Sequence, residues 1–221
     1  MENEIITLDI ETENTGYDIM EDNKRIISVQ ILEGDDSKIY YDGSESNDLE
    51  SAKENLRNMI DSGKSFLGFN IRGFDVRFIK KFLGIDIPPA QIIEISELPR
   101  MNSIREHFRK KRPRLVECCE FLNVECSHKG LMDEQSNKFK QLPNVIEKAK
   151  EGATTWNEQR GWGYDFSYRL ALDKIAGGMA IFEAFKEFVQ ANGDQNTTFY
   201  QYAMGDVFTE YALYLKMKQV V

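Results

Sequence analysis

Ile5-Ile6-Thr7-Leu8-Asp9-Ile10-Glu11-Thr12 is a run of β-branched and apolar residues that two acidic side chains interrupt. This composition over eight residues predicts a β-strand that opens the chain. Because side chains alternate between the two faces of a strand, Asp9 and Glu11 project from the same face. Two carboxylates on one face repel each other unless a cation lies between them or water surrounds them. The pair therefore predicts either a cation site or an edge strand whose acids face solvent.

The remaining pattern alternates strands with helices. Strands are predicted at residues 25–32, 38–41, 65–70 and 91–95, where β-branched and apolar residues cluster between turn residues. Helices are predicted at residues 49–60, 74–83, 115–122, 166–190 and 196–219, where apolar residues recur every three or four positions. This order predicts a mixed sheet with helices packed on it in one α/β domain. Elsewhere between residues 96 and 165 the pattern is weak and predicts irregular structure.

Acidic residues also stand at the end of the fourth strand and on the last helix. Residues 70–75 (NIRGFD) follow that strand, at the kind of strand-to-helix junction where α/β proteins build sites. Asp75 would lie in the first helical turn, where the helix dipole alone also favours a carboxylate. Tyr202 and Asp206 are four residues apart and share a helix face. We expect them at the border of the stripe that packs against the sheet. That stripe would consist of Met204, Phe208, Tyr211 and Leu215.

Three motifs in this order resemble those of a known superfamily. D-x-E on the first strand, N-x-x-x-F-D after the fourth and Y-x-x-x-D on a late helix are similar to the motifs of the DEDD superfamily. This is the DnaQ-like group of 3′–5′ exonucleases, and the tyrosine resembles its DEDDy branch. The strings LDIET (8–12) and GFNIRGFD (68–75) look like those of the proofreading domain of family B DNA polymerases. The resemblance implies a ribonuclease-H-like, mixed five-stranded sheet flanked by helices, with residues 1–221 forming a single exonuclease domain.

The resemblance also implies a two-metal mechanism with Mg²⁺ or Mn²⁺. Asp9 would bridge both ions, and Glu11 and Asp206 would complete the site of the ion that activates the attacking water. Asp75 would serve the other ion through water. Tyr202 would orient the attacking water, and the products would be 5′-mononucleotides. Further residues in the motifs would contact the terminal nucleotides; they are Ile10, Thr12, Asn70 and Phe74.

Residues 96–165 lie between the second and third motifs and extend the minimal fold of the superfamily. Their most charged part lies between Met101 and Leu115, where Glu106 opposes six Lys and Arg residues. We interpret five of the basic residues as an edge that contacts phosphates, although a solvated loop would have the same composition. They are Arg109, Lys110, Lys111, Arg112 and Arg114.

An aromatic cluster closes the same segment. It consists of Trp156, Arg160 and Trp162, with glycines beside them. These side chains would either stack on unpaired bases or anchor an irregular loop on the core.

Composition limits the class of protein. The 221 residues are 41% hydrophobic and 29% charged, which is typical of a globular chain. No apolar run is long enough to cross a membrane, and the acidic N-terminus is unlike a signal peptide. The three cysteines do not form a zinc-site spacing with His128, and we interpret them as buried thiols of a reduced interior. We therefore expect a cytoplasmic protein, or one inside a virus-infected cell, that is not secreted.

The charge distribution bears on the substrate. The formal charge of −9 argues against nucleic acid at first, because affinity for phosphates comes from Lys and Arg. Residues 1–50 carry 15 acidic side chains against three basic ones, and two of the four motif carboxylates lie there. Bound cations would offset these charges locally, so we expect single-strand binding to depend on the metal.

Together these features predict a stand-alone, metal-dependent 3′–5′ exonuclease that acts on single-stranded ends, with DNA preferred over RNA. Proofreading would then act in trans, and a replication or repair protein would be an unidentified partner. Two alternatives stay open. One is an exoribonuclease that trims RNA 3′ ends, and the other is a non-catalytic nucleic-acid-binding module with the same fold.

Overall fold

The computed structural model describes residues 4–13, 16–17 and 25–219. Among these residues, five strands form one sheet, in the order β3-β2-β1-β4-β5. The strands are β1 (Ile5–Thr12), β2 (Ile26–Glu33), β3 (Asp36–Tyr41), β4 (Ser65–Gly68) and β5 (Ile92–Glu94). β4 pairs in parallel with both β1 and β5, whereas β2 and β3 form an antiparallel hairpin. The predicted mixed sheet is therefore confirmed.

The described residues form eight helices, and three of these, at Met101–Phe108, Asp133–Phe139 and Pro143–Arg160, lie where the sequence predicts irregular structure. The eight helices are α1 (Leu49–Asp61), α2 (Asp75–Phe78), α3 (Met101–Phe108), α4 (Leu115–Leu122), α5 (Asp133–Phe139), α6 (Pro143–Arg160), α7 (Tyr164–Gln190) and α8 (Thr198–Lys218). A π-helical turn at Ile79–Leu83 continues α2, and short 3₁₀ turns lie at Pro89–Gln91, Ile95–Glu97 and Ser127–Gly130. Across the described part of the chain, no helix has both the length and the apolar character that a membrane crossing requires.

The chain packs as two compact units. The first comprises residues 1–11, 28–129 and 201–221, and the second comprises residues 12–27 and 130–200. Almost the whole sheet belongs to the first unit, together with α1 to α4 and nearly all of α8. The second contains α5, α6 and α7. That residues 1–221 form a single domain stays a prediction.

Apolar packing in the first unit holds the end of α8 beside the sheet. Leu67 of β4 lies in one buried cluster with Ile104 of α3 and Cys118 of α4. Leu213 and Met217 of α8 complete this cluster. Burying large aliphatic side chains contributes about 1.5–3 kcal/mol each, so this cluster fixes α8 against the strand ends. The earlier turns of α8 are thereby held next to β1 and β4.

The second unit corrects the expectation of irregular structure before residue 165. Residues 143–160 form α6, which packs along α7 through Val145, Ala149 and Trp156. The buried face of α6 also contains Gly152, and a Cβ there would lie 2.7 Å from the Tyr17 ring. Small buried residues give little hydrophobic contrast, so the 3.6-residue period is hard to see in the sequence.

Candidate active site and metal centre

The structure brings three of the predicted carboxylates together. One oxygen from each of Asp9, Glu11 and Asp206 lies within 4.8 Å of the others. Asp9 and Glu11 are half-buried on the same face of β1, as their spacing predicts, and α8 places the buried Asp206 beside them. Three acidic groups at this distance repel one another unless a cation or protons neutralise them. A donor set made only of carboxylate oxygens fits a hard cation such as Mg²⁺ or Mn²⁺.

Asp75 adds a fourth carboxylate from the start of α2. Its Oδ1 accepts a hydrogen bond from the backbone N–H of Ile10 at 3.2 Å, and its side chain is buried. When it is protonated, the Asp75 carboxyl also donates a hydrogen bond to the Asp9 carboxylate. All four carboxylates of the predicted site therefore meet at β1, and Asp9 lies between the other three.

Asp75 reaches this position because the loop after β4 is held from both sides. Asn70 has a φ of 64°, in the left-handed region that asparagine tolerates better than most residues. Glu94, buried at the end of β5, accepts hydrogen bonds from the backbone N–H groups of Asn70 at 2.8 Å and Arg72 at 3.2 Å. A third comes from the backbone N–H of Ser96 at 3.0 Å. No local sequence pattern points to Glu94, because Asn70 and Arg72 lie more than 20 positions away in the sequence.

Burial and mutual repulsion raise the pKa of these carboxylates. Burial, followed by the charge of Asp206, raises the pKa of Asp9 to about 7, although Lys129 opposes this shift. Burial and then the charge of Asp9 hold the pKa values of Glu11 and Asp75 well above their usual range. Carboxylates perturbed in this way are common at functional sites, and a bound cation would restore their charged form.

Two basic residues from the turn at 127–130 contact Asp206. The Lys129 Nζ lies 2.5 Å from a carboxylate oxygen of Asp206, and the His128 Nε2 lies 3.0 Å from Oδ1. Burial lowers the pKa of Lys129, but the charge of Asp206 and further acidic neighbours outweigh it and raise the pKa overall. Lys129 therefore keeps its positive charge inside the acidic cluster. Our sequence analysis did not single out Lys129, and it weighed His128 only as a zinc ligand.

Tyr202 lies one helical turn before Asp206, as its spacing predicts. Its ring centroid is 5.0 Å from the Lys129 Nζ and 6.4 Å from the centroid of the His128 ring. Burial, followed by the charge of Glu11, raises the pKa of the Tyr202 hydroxyl. The phenol therefore stays neutral and able to donate a hydrogen bond at physiological pH.

The buried face of α8 differs from the stripe that the sequence predicts. Phe208 and Leu215 are 47% and 39% exposed, whereas Val207 and Leu213 are buried. The same buried face carries Asp206 and Glu210 at the acidic cluster. The prediction was correct at Met204, which is buried, but wrong at Phe208 and Leu215, because apolar patterning overlooks a face on which acids are buried for chemistry. Glu210 is a fifth carboxylate at the site, and our sequence analysis missed it.

A groove of about 930 Å³ gives access to the cluster, and every lining residue belongs to the first unit. Acidic side chains in its wall include Asp9, Asp206 and Glu210. Basic side chains in its wall are Arg72, Arg105, Lys111, Arg112, Arg114 and Lys129. The groove therefore joins a cation-binding set of carboxylates to groups that attract phosphates.

Only part of the predicted basic edge lines the groove. Lys111, Arg112 and Arg114 line the groove, whereas Arg109 and Lys110 do not. Lys110 instead forms a hydrogen-bonded ion pair with the buried Glu117, whose Oε2 also accepts the Arg114 backbone N–H at 2.8 Å. These contacts anchor the basic turn at the start of α4.

The expected nucleotide contacts from the motifs lie in different environments. Asn70 lines the groove, whereas the side chains of Ile10 and Thr12 are buried. Phe74 is half-buried and packs against Phe78, with ring centroids 4.6 Å apart. Contact of these residues with substrate stays a prediction.

The aromatic cluster belongs to the second unit. Trp156 is buried between α6 and α7, whereas Trp162 is 42% exposed. The Arg160 guanidinium lies 4.6 Å from the centroid of the Trp162 ring and 5.7 Å from that of Trp156. Trp156 thus anchors a helix rather than an irregular loop. Base stacking by the cluster stays a prediction.

Comparison with known proteins agrees with this fold. The family model of the RNase_H superfamily matches residues 6–139, which is more than half of the chain. Among solved structures, the chain is similar to the family B DNA polymerase from the hyperthermophilic archaeon Pyrobaculum calidifontis, with 14% identity and a TM-score of 0.39. That match covers 98% of this chain but only 29% of the polymerase chain. No curated protein matches the chain. The family model and the mixed sheet flanked by helices confirm the predicted ribonuclease-H-like fold, and the chain belongs to the RNase H superfamily.

Proposed function

We propose that the chain is a metal-dependent 3′–5′ exonuclease that hydrolyses single-stranded nucleic-acid ends and releases 5′-mononucleotides. The observation that carries this proposal is the cluster of Asp9, Glu11 and Asp206, with oxygens within 4.8 Å of one another, in a groove with basic walls. An anionic substrate approaches such a cluster only when cations neutralise it. The order of the three motifs, which resembles the DEDDy branch, supports an exonuclease among the activities that this superfamily serves.

In this proposal, the chain's own carboxylates would hold two divalent cations. Asp9, Glu11 and Asp206 would hold one divalent cation, and Asp9 and Asp75 would hold another. When bound, Mg²⁺ or Mn²⁺ would lower the pKa of the attacking water and stabilise the leaving 3′ oxygen. Tyr202, as a neutral phenol, would orient that water by a hydrogen bond.

Lys129 would balance the charge of the acidic cluster. Its ammonium lies against Asp206 and beside the Tyr202 ring, where it offsets part of the negative charge of the cluster. Carboxylates bind a cation in their charged form. Lys129 would therefore prepare the site for metal.

The basic wall of the groove would guide the substrate. Lys111, Arg112 and Arg114 would contact backbone phosphates, and Asn70 would contact the terminal nucleotides. Such contacts do not distinguish the bases, so the groove suits unpaired ends of any sequence. We propose single-stranded DNA as the preferred substrate over RNA, and an intracellular location. A replication or repair protein as partner stays a prediction.

The decisive experiment follows 5′-labelled single-stranded DNA and RNA of the same sequence with Mg²⁺, with Mn²⁺ and with EDTA. We expect stepwise shortening from the 3′ end that stops in EDTA. Asp206→Asn should slow cleavage at least a thousandfold. Asp86→Asn, a change at an exposed acid paired with Lys80, should leave the rate unchanged.

Other outcomes separate the alternatives. Shortening of RNA alone would favour the exoribonuclease, and binding of single strands without cleavage under any metal would favour the non-catalytic module. Equal cleavage of a circular single strand would show endonuclease activity and contradict the proposal.

A further inference from the structure

Glu210 is a carboxylate that the three motifs do not include. It lies on α8 one helical turn after Asp206, is only 4% exposed, and lines the same groove as Asp9 and Asp206. The charges of Asp9, Asp206 and Asp75 all act on it. Glu210 therefore belongs to the acidic cluster and not to the outer surface of α8.

One oxygen of Glu210 has no protein partner within the described part of the chain. Its Oε2 is fully buried and makes no hydrogen bond to any described residue. Buried carboxylate oxygens are almost always paired, because an unpaired one loses its hydration without compensation. An orphaned oxygen in the wall of a cation-binding groove indicates a ligand that the protein itself does not supply.

Asp9 lies next to carboxylates of both proposed cation sites. One oxygen of Asp9 lies within 4.8 Å of oxygens of Glu11 and Asp206, and among the described residues this is the one group of three acids that meets so closely. The charge of Asp9 also acts on Asp75, and the charges of both act on Glu210, which lines the groove beside Asp9. Without Glu210, a cation beside Asp9 and Asp75 would have only two carboxylates as ligands.

We propose that Glu210 is a ligand of the second divalent cation, which it binds through Oε2 together with Asp9 and Asp75. This inference rests on the proposed function, because that function requires the second cation. Hard cations bind more tightly as the number of carboxylate ligands increases. The second cation should therefore bind before any substrate phosphate is present.

The test counts bound Mn²⁺ in the absence of nucleic acid, from the electron paramagnetic resonance signal of the free ion. We expect two Mn²⁺ per chain for the unchanged protein. Glu210→Gln should weaken one of the two at least tenfold and leave the other unchanged, and Asp75→Asn should weaken the same ion. Glu106→Gln, a change at an exposed acid of α3, should keep both. Two Mn²⁺ of unchanged affinity in Glu210→Gln, or fewer than two in the unchanged protein, would overturn the assignment.

Thermal unfolding separates a ligand from a structural residue. In EDTA, Glu210→Gln should melt no lower than the unchanged protein, because glutamine cannot acquire the charge that the neighbouring carboxylates disfavour. With Mn²⁺, its increase in Tm should be smaller. A variant that melts lower in EDTA but keeps the full increase would show that Glu210 has only a structural role, and the assignment would be wrong. Glu210→Met, of similar length, provides the same two measurements should the glutamine variant not fold.

The two proposals fail in different ways. A chain that binds two Mn²⁺ through Glu210 but leaves DNA and RNA intact would contradict the exonuclease and retain the Glu210 site. If the unchanged protein shortens DNA but the Glu210→Gln variant keeps both ions, the exonuclease is supported and the Glu210 site is contradicted.

Discussion

At the scale of single residues, Asp9 belongs to a buried acidic cluster whose negative charge must be neutralised by protons or by a cation. It lies among the carboxylates of Glu11, Asp75 and Asp206, and Lys129 is the basic residue that most directly opposes them. The folded chain therefore holds protons that the unfolded chain would release at lower pH. The stability of the protein should therefore depend on pH and on bound metal.

We predict that the protein in EDTA becomes less stable as pH rises. Because the pKa of Asp9 is raised from 3.8 to about 7, the folded state binds more protons than the unfolded state between those values. The free energy of unfolding should therefore fall through this window, by up to about 1.4 kcal/mol per pH unit for each such carboxylate. Mn²⁺ should remove the loss, since it replaces the protons. Urea unfolding between pH 5 and 8, with and without Mn²⁺, measures this; stability that rises with pH in EDTA would contradict it.

The ion pair of Lys129 with Asp206 gives a second prediction. In EDTA, Lys129→Met should lower the free energy of unfolding by about 2–4 kcal/mol, because it leaves a buried carboxylate without its cation. Mn²⁺ should recover most of this loss. The control is Lys138→Met, whose exposed partner is Glu134, and it should cost less than about 1 kcal/mol. Equal losses in the free energy of unfolding would show that the buried ion pair stabilises the protein no more than the exposed one.

At the scale of elements, α8 and the turn before residue 130 meet with no space between them. A Cβ at Gly205 would lie 2.7 Å from the Cβ of His128, so the glycine allows the turn to place Lys129 on Asp206. On α7, by contrast, a Cβ at Gly177 would meet no atom within 4 Å. The two glycines form a matched pair for mutation.

We predict opposite effects of alanine at these two positions. Gly205→Ala should destabilise the protein by about 1–3 kcal/mol, because the added methyl group displaces His128. Gly177→Ala should stabilise it by about 0.5–1 kcal/mol, because alanine favours the helix. Urea unfolding of both variants measures the difference. Stabilisation by Gly205→Ala would show that the turn does not pack against α8 in solution.

The loop between β4 and α2 depends on an acid in a different strand. Glu94→Ala removes the acceptor of three backbone N–H groups, those of Asn70, Arg72 and Ser96. We expect a loss of about 2–4 kcal/mol in stability and slower cleavage, because Asp75 lies at the end of this loop. Glu97→Ala is the control, since Glu97 is exposed and pairs with Arg72 at 3.4 Å. If Glu94→Ala leaves the rate of single-stranded DNA cleavage unchanged, the loop does not position the active site.

At the scale of the whole molecule, the net charge of −9 does not describe how acidic and basic side chains are distributed locally. The groove combines the acidic cluster with the basic residues of its wall, so the total charge is a poor guide to its ligand. Cations bound at the cluster would add positive charge where the substrate phosphate lies.

We predict that the groove and not the net charge controls single-strand affinity. In Ca²⁺, Arg112→Ala should weaken binding and reduce the slope of log affinity against log salt by about 0.7, the value for one lost phosphate contact. Arg109→Ala removes the same charge outside the groove lining and should leave the slope unchanged. EDTA should weaken binding of the unchanged protein. Fluorescence anisotropy with a labelled single strand measures these quantities, and equal effects of the two variants would contradict the prediction.

Local periodicity explains which parts of the fold and the site could be predicted. Asp9 and Glu11 share a face because strands have a period of two, and Tyr202 and Asp206 share one because helices have a period of 3.6. The helix at 143–160 escaped prediction because its buried positions include Ala149 and Gly152, which give little contrast with its polar face. Short-range patterns therefore identify motifs well and helices with small buried residues poorly.

By itself, the sequence determined the strands and helices with clear periodicity and the mixed sheet, because these depend on spacing over a few residues. The four carboxylates and the tyrosine were identified by the resemblance of three motifs to the DEDD superfamily, and their roles stay predictions. Only the tertiary structure decided that Lys129 and His128 contact Asp206, that Glu94 holds the loop before Asp75, and that Glu210 faces the cluster. Their partners lie 24 to 78 positions away, or on a helix face that apolar patterning assigns to solvent. Contacts of this kind follow from how elements pack, and no local period encodes them.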